Sequence, residues 1–139
     1  MQNGKYLNFT YDGVNVAGNQ LALSPKLTSN GGVDWTVGPV FDGSLLLSVD
    51  GSYKSKQYWD PEDTQRIAQG GYFLLNARTT LTVGPSGRYA ITAWGKNLTN
   101  RDYKAYALPT QTPAEGGLGL DFTNPAEPRT FGLTASVKF

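Results

Sequence analysis

The residues best suited to chemistry form an acidic group in the middle of the chain. Asp60, Glu62 and Asp63 lie in the stretch W-D-P-E-D that begins at Trp59. Carboxylate oxygens are good ligands for hard cations, so this group is compatible with a calcium site or a site for a cationic substrate. Its spacing matches no known calcium-binding loop, however. A solvated loop or the start of a helix is the interpretation we prefer.

The chain contains neither histidine nor cysteine, and this removes most catalytic chemistry. Without histidine it lacks the usual general base and the commonest zinc ligand, and without cysteine it lacks thiolate sites and disulfides. Only paired carboxylates could then act as acid and base, and nothing in the sequence brings Asp50, Asp60 and Asp121 together. We therefore predict that the protein is not an enzyme and has no catalytic residue, cofactor or metal ion.

Composition and charge exclude several further classes of protein. The 139 residues fit one domain, and the net charge of +1 gives no reason to expect a nucleic-acid partner. No stretch approaches the roughly 18 apolar residues of a transmembrane helix, although barrel strands give a much weaker signal than helices. The start M-Q-N-G-K-Y lacks the charged and apolar regions of a signal peptide.

Alternating apolar and polar residues predict β-strands along most of the chain. The clearest strand closes the chain at Arg129–Phe139, where every second residue from Phe131 onward is apolar. A transmembrane barrel strand requires such alternation, because lipid contacts one face and water the other. The pattern predicts five strong strands at Pro25–Val37, Ser44–Lys56, Tyr72–Val83, Arg88–Tyr103 and Arg129–Phe139.

Two weaker elements complete this interpretation. Gly4–Tyr11 is predicted as a short sixth strand. Asp60–Gln69 is the best candidate for a helix, of one or two turns at most, because it begins with a capping aspartate but has no long apolar stripe.

The connections between these strands alternate in length. Gly38–Gly43 and Gly84–Gly87 are short turns rich in glycine and proline. The other connections are long: Asp12–Ser24, Gln57–Gly71 and Lys104–Pro128. In an up-and-down meander, alternate connections lie at the same end of the sheet. Tight turns at one end and long loops at the other are typical of transmembrane barrels.

Four segments resemble a known family. They are Leu21–Asn30, Gly70–Leu81, Tyr89–Tyr103 and Pro125–Phe139, and their motifs occur in the family's order. The chain resembles the C-terminal end of a TonB-dependent outer-membrane receptor. The resemblance implies an all-β, antiparallel up-and-down meander of about five to six strands, a fragment of a transmembrane barrel of about 22 strands. Residues 1–139 would then be the C-terminal part of the barrel, with the plug domain and most strands absent.

The same resemblance implies a function and a location. The parent protein would take up a ferric siderophore or a similar scarce nutrient across the outer membrane, with energy supplied by the TonB complex. The fragment alone would not be competent for transport. Its short turns would be periplasmic and its long loops extracellular.

The resemblance also implies partners and site residues. The partners are the lipid bilayer, TonB and the outer-membrane assembly machinery, which would recognise an assembly signal on the last strand. Asn97, Tyr103 and Arg129 match structural positions of the family motifs, and we expect Arg129 to form an ion pair at the barrel rim. The assembly-signal residues are Phe131, Leu133, Val137 and Phe139.

Aromatic residues near several strand ends fit a girdle at the membrane interface, and a sugar-stacking surface is the competing use. These residues are Trp35, Tyr53, Tyr58, Tyr72, Trp94, Tyr103 and Tyr106.

Two alternatives remain open from the sequence. The chain could be a soluble β-sheet module that binds carbohydrate or another ligand. It would then bury one shared dry core formed by Leu45, Leu47, Phe73, Leu75, Phe131 and Val137. Alternatively, the fragment could have refolded as a soluble oligomer. If it is a barrel piece, its open sheet edges predict that the isolated chain self-associates.

Overall fold

A computed structural model describes residues 2–110 and 116–139. This part of the chain is almost entirely β-structure, as predicted, with one short 3₁₀ helix at Pro85–Gly87. None of its helical segments is long and apolar enough to cross a membrane. Its strands are β1 (Thr10–Tyr11), β2 (Val14–Asn15), β3 (Thr28–Val40), β4 (Gly43–Lys54), β5 (Tyr72–Val83), β6 (Tyr89–Lys96), β7 (Lys104–Leu108), β8 (Phe122–Pro125) and β9 (Thr130–Val137).

Five long strands form one sheet in the order β3-β4-β5-β6-β9. Strand β6 pairs antiparallel with β5 on one side and with β9 on the other. Strands β7 and β8 interrupt the chain between β6 and β9 and pair with each other in a separate two-stranded sheet. The predicted up-and-down meander is therefore confirmed, because each strand of the sheet neighbours the next sheet strand along the chain.

The alternation of connection lengths is also present. Only Phe41 and Asp42 join β3 to β4, both with left-handed backbones at φ of 49° and 56°. Two left-handed residues are typical of a type I′ hairpin, whose twist matches that of the paired strands, although asparagine and glycine are the usual occupants. The β5–β6 connection includes the 3₁₀ helix, whereas the β4–β5 and β6–β9 connections are long.

The register of β5, β6 and β9 separates apolar from polar residues. Leu81, Ile91 and Ala135 are cross-strand neighbours on one face, and Thr80, Thr92 and Thr134 are neighbours on the other. Side chains alternate between the two faces of a strand, so the period of two in the sequence gives each face its character. We call these the apolar face and the polar face.

Three sequence predictions about local structure were wrong. The strand predicted at Gly4–Tyr11 is reduced to β1, because Asp12 and Gly13 turn the chain back to pair with β2. The strand predicted at Arg88–Tyr103 ends at Lys96, because Asn97 adopts a left-handed backbone with φ of 49°. The helix predicted within Asp60–Gln69 is a series of turns instead, and a β-bridge joins Gln57 to Gln69.

The chain divides into two compact units. The loop unit comprises Met1–Ser29, Tyr53–Tyr72 and Asp102–Ala126, and the sheet unit comprises Asn30–Ser52, Phe73–Arg101 and Glu127–Phe139. Within the described residues, the buried apolar side chains belong to the loop unit: Val16, Ile67, Tyr72 and Ala107.

Candidate functional site

One of two neighbouring recesses in the sheet unit lies on the polar face. It has a volume of about 380 Å³, and its polar lining comes from β4, β5 and β6. A neighbouring recess of about 410 Å³ shares Asp50 and Arg78 with it. The polar and charged side chains of the first recess are Asp50, Asn76, Arg78, Thr92, Trp94 and Lys96.

Hydrogen bonds between strands hold this polar face in place. Asn76 Nδ2 donates to Asp50 Oδ2 at 2.7 Å, and Asn76 Oδ1 accepts from the backbone N–H of Asn97 at 3.0 Å. The hydroxyl groups of Thr80 and Thr92 lie 2.9 Å apart. Cross-strand polar pairs of this kind stabilise a sheet and fix the orientation of the side chains beside them.

Trp94 lies against β9 because its neighbour there is a glycine. Trp94 is the cross-strand partner of Gly132, and a Cβ atom added at Gly132 would come within 2.3 Å of Trp94 Cζ2. Any larger residue would therefore push the indole away from the strand. The apolar face has the same arrangement, because Phe131 packs over Gly95. A Cβ atom added at Gly95 would come within 2.9 Å of Phe131 Cδ1.

The charges of the recess are unequal. Arg78 and Lys96 contribute two cations, and Asp50 contributes one carboxylate. Lys96 Nζ lies 6.0 Å from the centre of the Trp94 ring and 3.8 Å from the nearest Glu127 oxygen. Glu127 and Asp34, which lines the neighbouring recess together with Arg78, offset this difference in charge.

Asn97 is the hydrogen-bonding centre of the turn after β6. It is 5% exposed, and its Nδ2 donates to the carbonyl oxygens of Arg101 and Glu127 at 2.9 and 3.3 Å. Its Oδ1 accepts from the N–H of Arg101 at 2.9 Å and from the hydroxyl of Thr99 at 3.3 Å. One side chain thus closes the turn and ties it to the segment that leads into β9.

Two other motif residues take part in aromatic contacts. In the loop unit, Tyr103 stacks on Tyr72 with ring centres 4.6 Å apart. In the sheet unit, the Arg129 guanidinium lies 5.8 Å from the centre of the Phe131 ring. No ion pair of Arg129 occurs within the described residues, and the ion pair expected at the barrel rim stays a prediction.

The proposed assembly-signal residues are exposed on the apolar face or beyond its end. Phe131 is 66% exposed, Leu133 78% and Val137 48%, and Phe139 follows the last strand fully exposed. Their arrangement in a row follows from the strand's period of two. Recognition by an assembly machinery stays a prediction.

The acidic group at Trp59 has a structural role in the loop unit. Asp60 Oδ1 accepts from the N–H of Thr64 at 3.0 Å, and Asp63 Oδ2 accepts from the N–H of Gln20 at 3.2 Å. No group of three potential metal ligands occurs within residues 2–110 and 116–139. Asp60 therefore caps a local turn and Asp63 ties it to a distant segment. The preferred interpretation from the sequence, a solvated loop or the start of a helix, was wrong for Asp60, which is only 5% exposed and lies in turns.

The sequence did not reveal that Arg78 and Lys96 share a recess. Their convergence depends on the β5–β6 register, which places Arg78 opposite Trp94. The available signal was the even spacing of Trp94 and Lys96 in the segment T-A-W-G-K, which puts both residues on one face.

Solved structures of receptors and transporters of ferric compounds share this fold. The ferric yersiniabactin uptake receptor FyuA from Yersinia pestis matches with a TM-score of 0.74 and 19% identity, over 95% of this chain and 19% of that one. The ferric citrate transporter FecA matches with a TM-score of 0.65 and 22% identity, over 89% of this chain and 18% of that one. BauA, the ferric preacinetobactin receptor from Acinetobacter baumannii, matches with a TM-score of 0.59 and 24% identity, over 87% of this chain and 16% of that one.

These likenesses establish the fold. The resemblance inferred from the four sequence segments is confirmed at that level, because the matching structures are receptors and transporters of ferric compounds. FyuA is an uptake receptor, FecA a transporter and BauA a receptor. The chain spans less than a fifth of the length of each. The sequence matches no protein-family model and no curated protein.

Proposed function

We propose that this chain forms part of the wall and outer loops of an outer-membrane barrel that takes up a ferric siderophore or a similar scarce nutrient. In this proposal residues 1–139 are the C-terminal part of a barrel of about 22 strands. The TonB complex energises the whole receptor, and a plug domain and the remaining strands complete it. The chain alone does not transport.

The exposure of the apolar face is the observation that carries this proposal. Phe73, Ile91 and Leu133 are 45%, 55% and 78% exposed. A soluble protein rarely leaves so many large apolar side chains exposed on one face of a sheet, whereas lipid provides their natural environment in a barrel wall. The polar face, with its charges and recesses, suits a water-filled interior.

Strand length supports the same proposal. Strands β4 and β5 each have 12 residues, and at about 3.3 Å per residue they extend roughly 40 Å. A tilt of about 40° leaves close to 30 Å along the membrane normal, enough to cross the apolar band. Typical strands of soluble proteins have only about five to six residues.

The soluble-module alternative lacks the core that it requires. It predicts that Phe73, Phe131 and Val137 share a dry interior, but these side chains are 45%, 66% and 48% exposed. The competing sugar-stacking use of the aromatic residues loses support in the same way, because Tyr72 and Tyr103 stack on each other.

Self-association of the isolated chain follows from its open edges. Within the described residues, β3 and β9 each have one neighbour in the sheet and leave one row of backbone groups unpaired. Such edges pair with other chains unless they are covered. The complete barrel would cover both edges with neighbouring strands.

Light scattering coupled to size exclusion, with circular dichroism, tests the barrel proposal. We expect β-structure that requires detergent or that forms oligomers in plain buffer. A monodisperse β-rich monomer in plain buffer would contradict it, because the apolar face would then have to be buried without lipid.

A genetic experiment tests the uptake proposal separately. Deleting the coding region of this chain in its host should lower the accumulation of at least one radiolabelled ferric chelate under iron limitation. An unchanged uptake across a panel of ferric siderophore and citrate chelates would contradict a role in the uptake of ferric compounds. It would leave the barrel architecture in place.

A further inference from the structure

A recess in the loop unit contains acidic residues to which the proposed function gives no role. It has a volume of about 240 Å³, and we call it the acidic recess. Its charged lining consists of Asp12, Asp60, Glu62 and Arg66, and Tyr11 is its aromatic lining residue. All of these residues belong to the loop unit. Among the described residues, no lysine lines the recess.

Asp60 is a buried carboxylate with one unsatisfied oxygen. The residue is 5% exposed, and its Oδ1 accepts a hydrogen bond from the N–H of Thr64 at 3.0 Å. Its Oδ2 is buried and has no hydrogen-bond partner within the part of the chain that the structure describes. Burying such an oxygen without a donor is costly, because the hydrogen bonds that it made to water are not replaced. A donor bound in the acidic recess would remove this cost.

The charges of the acidic recess favour a cation. Arg66 is already paired, since its Nε lies 3.0 Å from Asp121 Oδ2. Asp12 has an interaction partner of its own, which leaves Asp60 and Glu62 for a ligand. Neither of these two carboxylates forms an ion pair within residues 2–110 and 116–139. Two carboxylates without a counter-ion attract positive charge.

From this arrangement we propose that the acidic recess binds a small organic cation with a primary ammonium or guanidinium group. Such a group donates several hydrogen bonds at once, so it can satisfy Asp60 Oδ2 and contact the Glu62 carboxylate. Tyr11 offers its ring for a cation–π contact. A metal ion fits less well, because the described residues contain no group of three acidic, histidine or cysteine side chains that could hold one.

The size of the acidic recess restricts the ligand further. A volume of about 240 Å³ is smaller than the pockets that hold drug-sized molecules and suits a short alkyl amine.

This inference goes beyond the proposed function. The acidic recess lies within the loop unit, so binding of a cation there requires neither lipid nor further strands of a barrel. A chain that binds no cation would leave the barrel proposal in place, because the membrane position of the sheet is measured by labelling.

Titration calorimetry on the full chain in a non-ionic detergent tests the inference, with putrescine and agmatine as probes and butanediol as the neutral control. We expect one site that binds at least one probe and weakens as salt is raised. Glu62→Gln should lower the affinity about threefold. Glu62→Lys brings a competing cation to the recess and should lower it about tenfold or more. Glu127→Gln removes the same charge in the sheet unit and should leave the affinity unchanged.

Asp60→Asn tests whether the ligand contacts the buried carboxylate. The variant keeps an oxygen for the N–H of Thr64 but removes the charge, so the affinity should fall about tenfold. Asp102→Asn, at an exposed position of the same unit, is the matched control and should bind normally. Because Glu62 is exposed, its two variants keep the fold and exclude misfolding as the cause of a loss.

Four results would overturn the inference. Neither probe binds, in which case a buried water satisfies Asp60 Oδ2. Butanediol binds as tightly as the amines. Glu62→Lys binds as tightly as the unchanged chain. The controls Asp102→Asn and Glu127→Gln lose as much affinity as Asp60→Asn.

Discussion

The loop unit and the sheet unit differ in the burial of their apolar side chains. In the loop unit, Ile67 is 1% exposed and the neighbouring polar residue Gln69 is 6% exposed. In the sheet unit, Leu133 is 78% exposed, although its strand is fully paired on one side. The loop unit thus has a small buried interior, although its Leu7 and Leu118 are 83% and 81% exposed, whereas no large apolar side chain of the sheet unit is buried among the described residues.

Side-chain hydrogen bonds stabilise the loop unit, whose strands β1, β2, β7 and β8 are short. Lys104 Nζ donates to the carbonyl oxygens of Ile67 and Ala68 at 3.1 and 3.2 Å, and the N–H of Lys104 donates to Gln69 Oε1 at 2.8 Å. Buried polar groups of a loop need such partners to avoid a large desolvation cost. The loop unit therefore depends on internal hydrogen bonds and a small buried interior, whereas the sheet unit depends on the pairing of its long strands.

Truncating the same residue type in each unit should give the largest contrast. Ile67→Ala leaves a cavity in a closed interior and should lower the free energy of unfolding by about 2–5 kcal/mol. Ile91→Ala, at a side chain 55% exposed, creates no cavity and should cost about 1–2 kcal/mol. Urea unfolding in detergent, followed by circular dichroism, measures both. An equal or greater loss for Ile91→Ala would break the comparison.

Removing the Asn97 side chain should show that the sheet unit also depends on a buried polar group. Asn97→Ala leaves the Arg101 and Glu127 carbonyls without their donor and should cost about 2–3 kcal/mol. Asn30→Ala, at an exposed position of β3, is the matched control and should cost about 0.5 kcal/mol or less. Similar values for the two variants would contradict the central role of Asn97 in its turn.

A methyl group at Gly132 should disturb the polar face without touching the apolar one. Gly132→Ala forces Trp94 off β9, and the repacking should cost about 1–3 kcal/mol. Near-ultraviolet circular dichroism should lose the signal of an ordered indole. Gly31→Ala has open space around the new Cβ atom and serves as the control. An unchanged indole signal in Gly132→Ala would refute the packing of Trp94 on this glycine.

The ion pair of the loop unit should matter least. Arg66 Nε lies 3.0 Å from Asp121 Oδ2, and the side chains are 43% and 25% exposed. Because such pairs are screened by solvent, Asp121→Asn should cost only about 0.5–1 kcal/mol, and less at high salt. Asp102→Asn is the exposed control. A loss as large as that of Ile67→Ala would mean that the loop unit is held by charge rather than by its interior.

The long strands could be predicted from the sequence because their signal is local. Strand β5 was predicted with the bounds Tyr72–Val83 that the structure shows, since twelve alternating residues leave little choice of period. The alternation of short and long connections was equally visible. The period of two within the strands and the alternation of connection lengths together predict the meander.

The rest could not be predicted, because it depends on contacts between distant segments. The helix expected within Asp60–Gln69 gave way to turns in which Asp60 caps Thr64 and Asp63 accepts from Gln20. A left-handed backbone at Asn97 ended a strand that the composition alone would have continued to Tyr103. The recess of Arg78 and Lys96 required a register that no single segment reveals.

The most direct test of the account asks which medium contacts each face of β9. The chain has no cysteine, so single cysteines at Leu133, Thr134, Ala135 and Ser136 can each carry a nitroxide label in lipid vesicles. The account predicts that oxygen, which concentrates in lipid, relaxes the labels at Leu133 and Ala135. A water-soluble nickel chelate should relax those at Thr134 and Ser136. Equal accessibility at all four positions, or nickel access at Leu133 and Ala135, would contradict a membrane-spanning sheet.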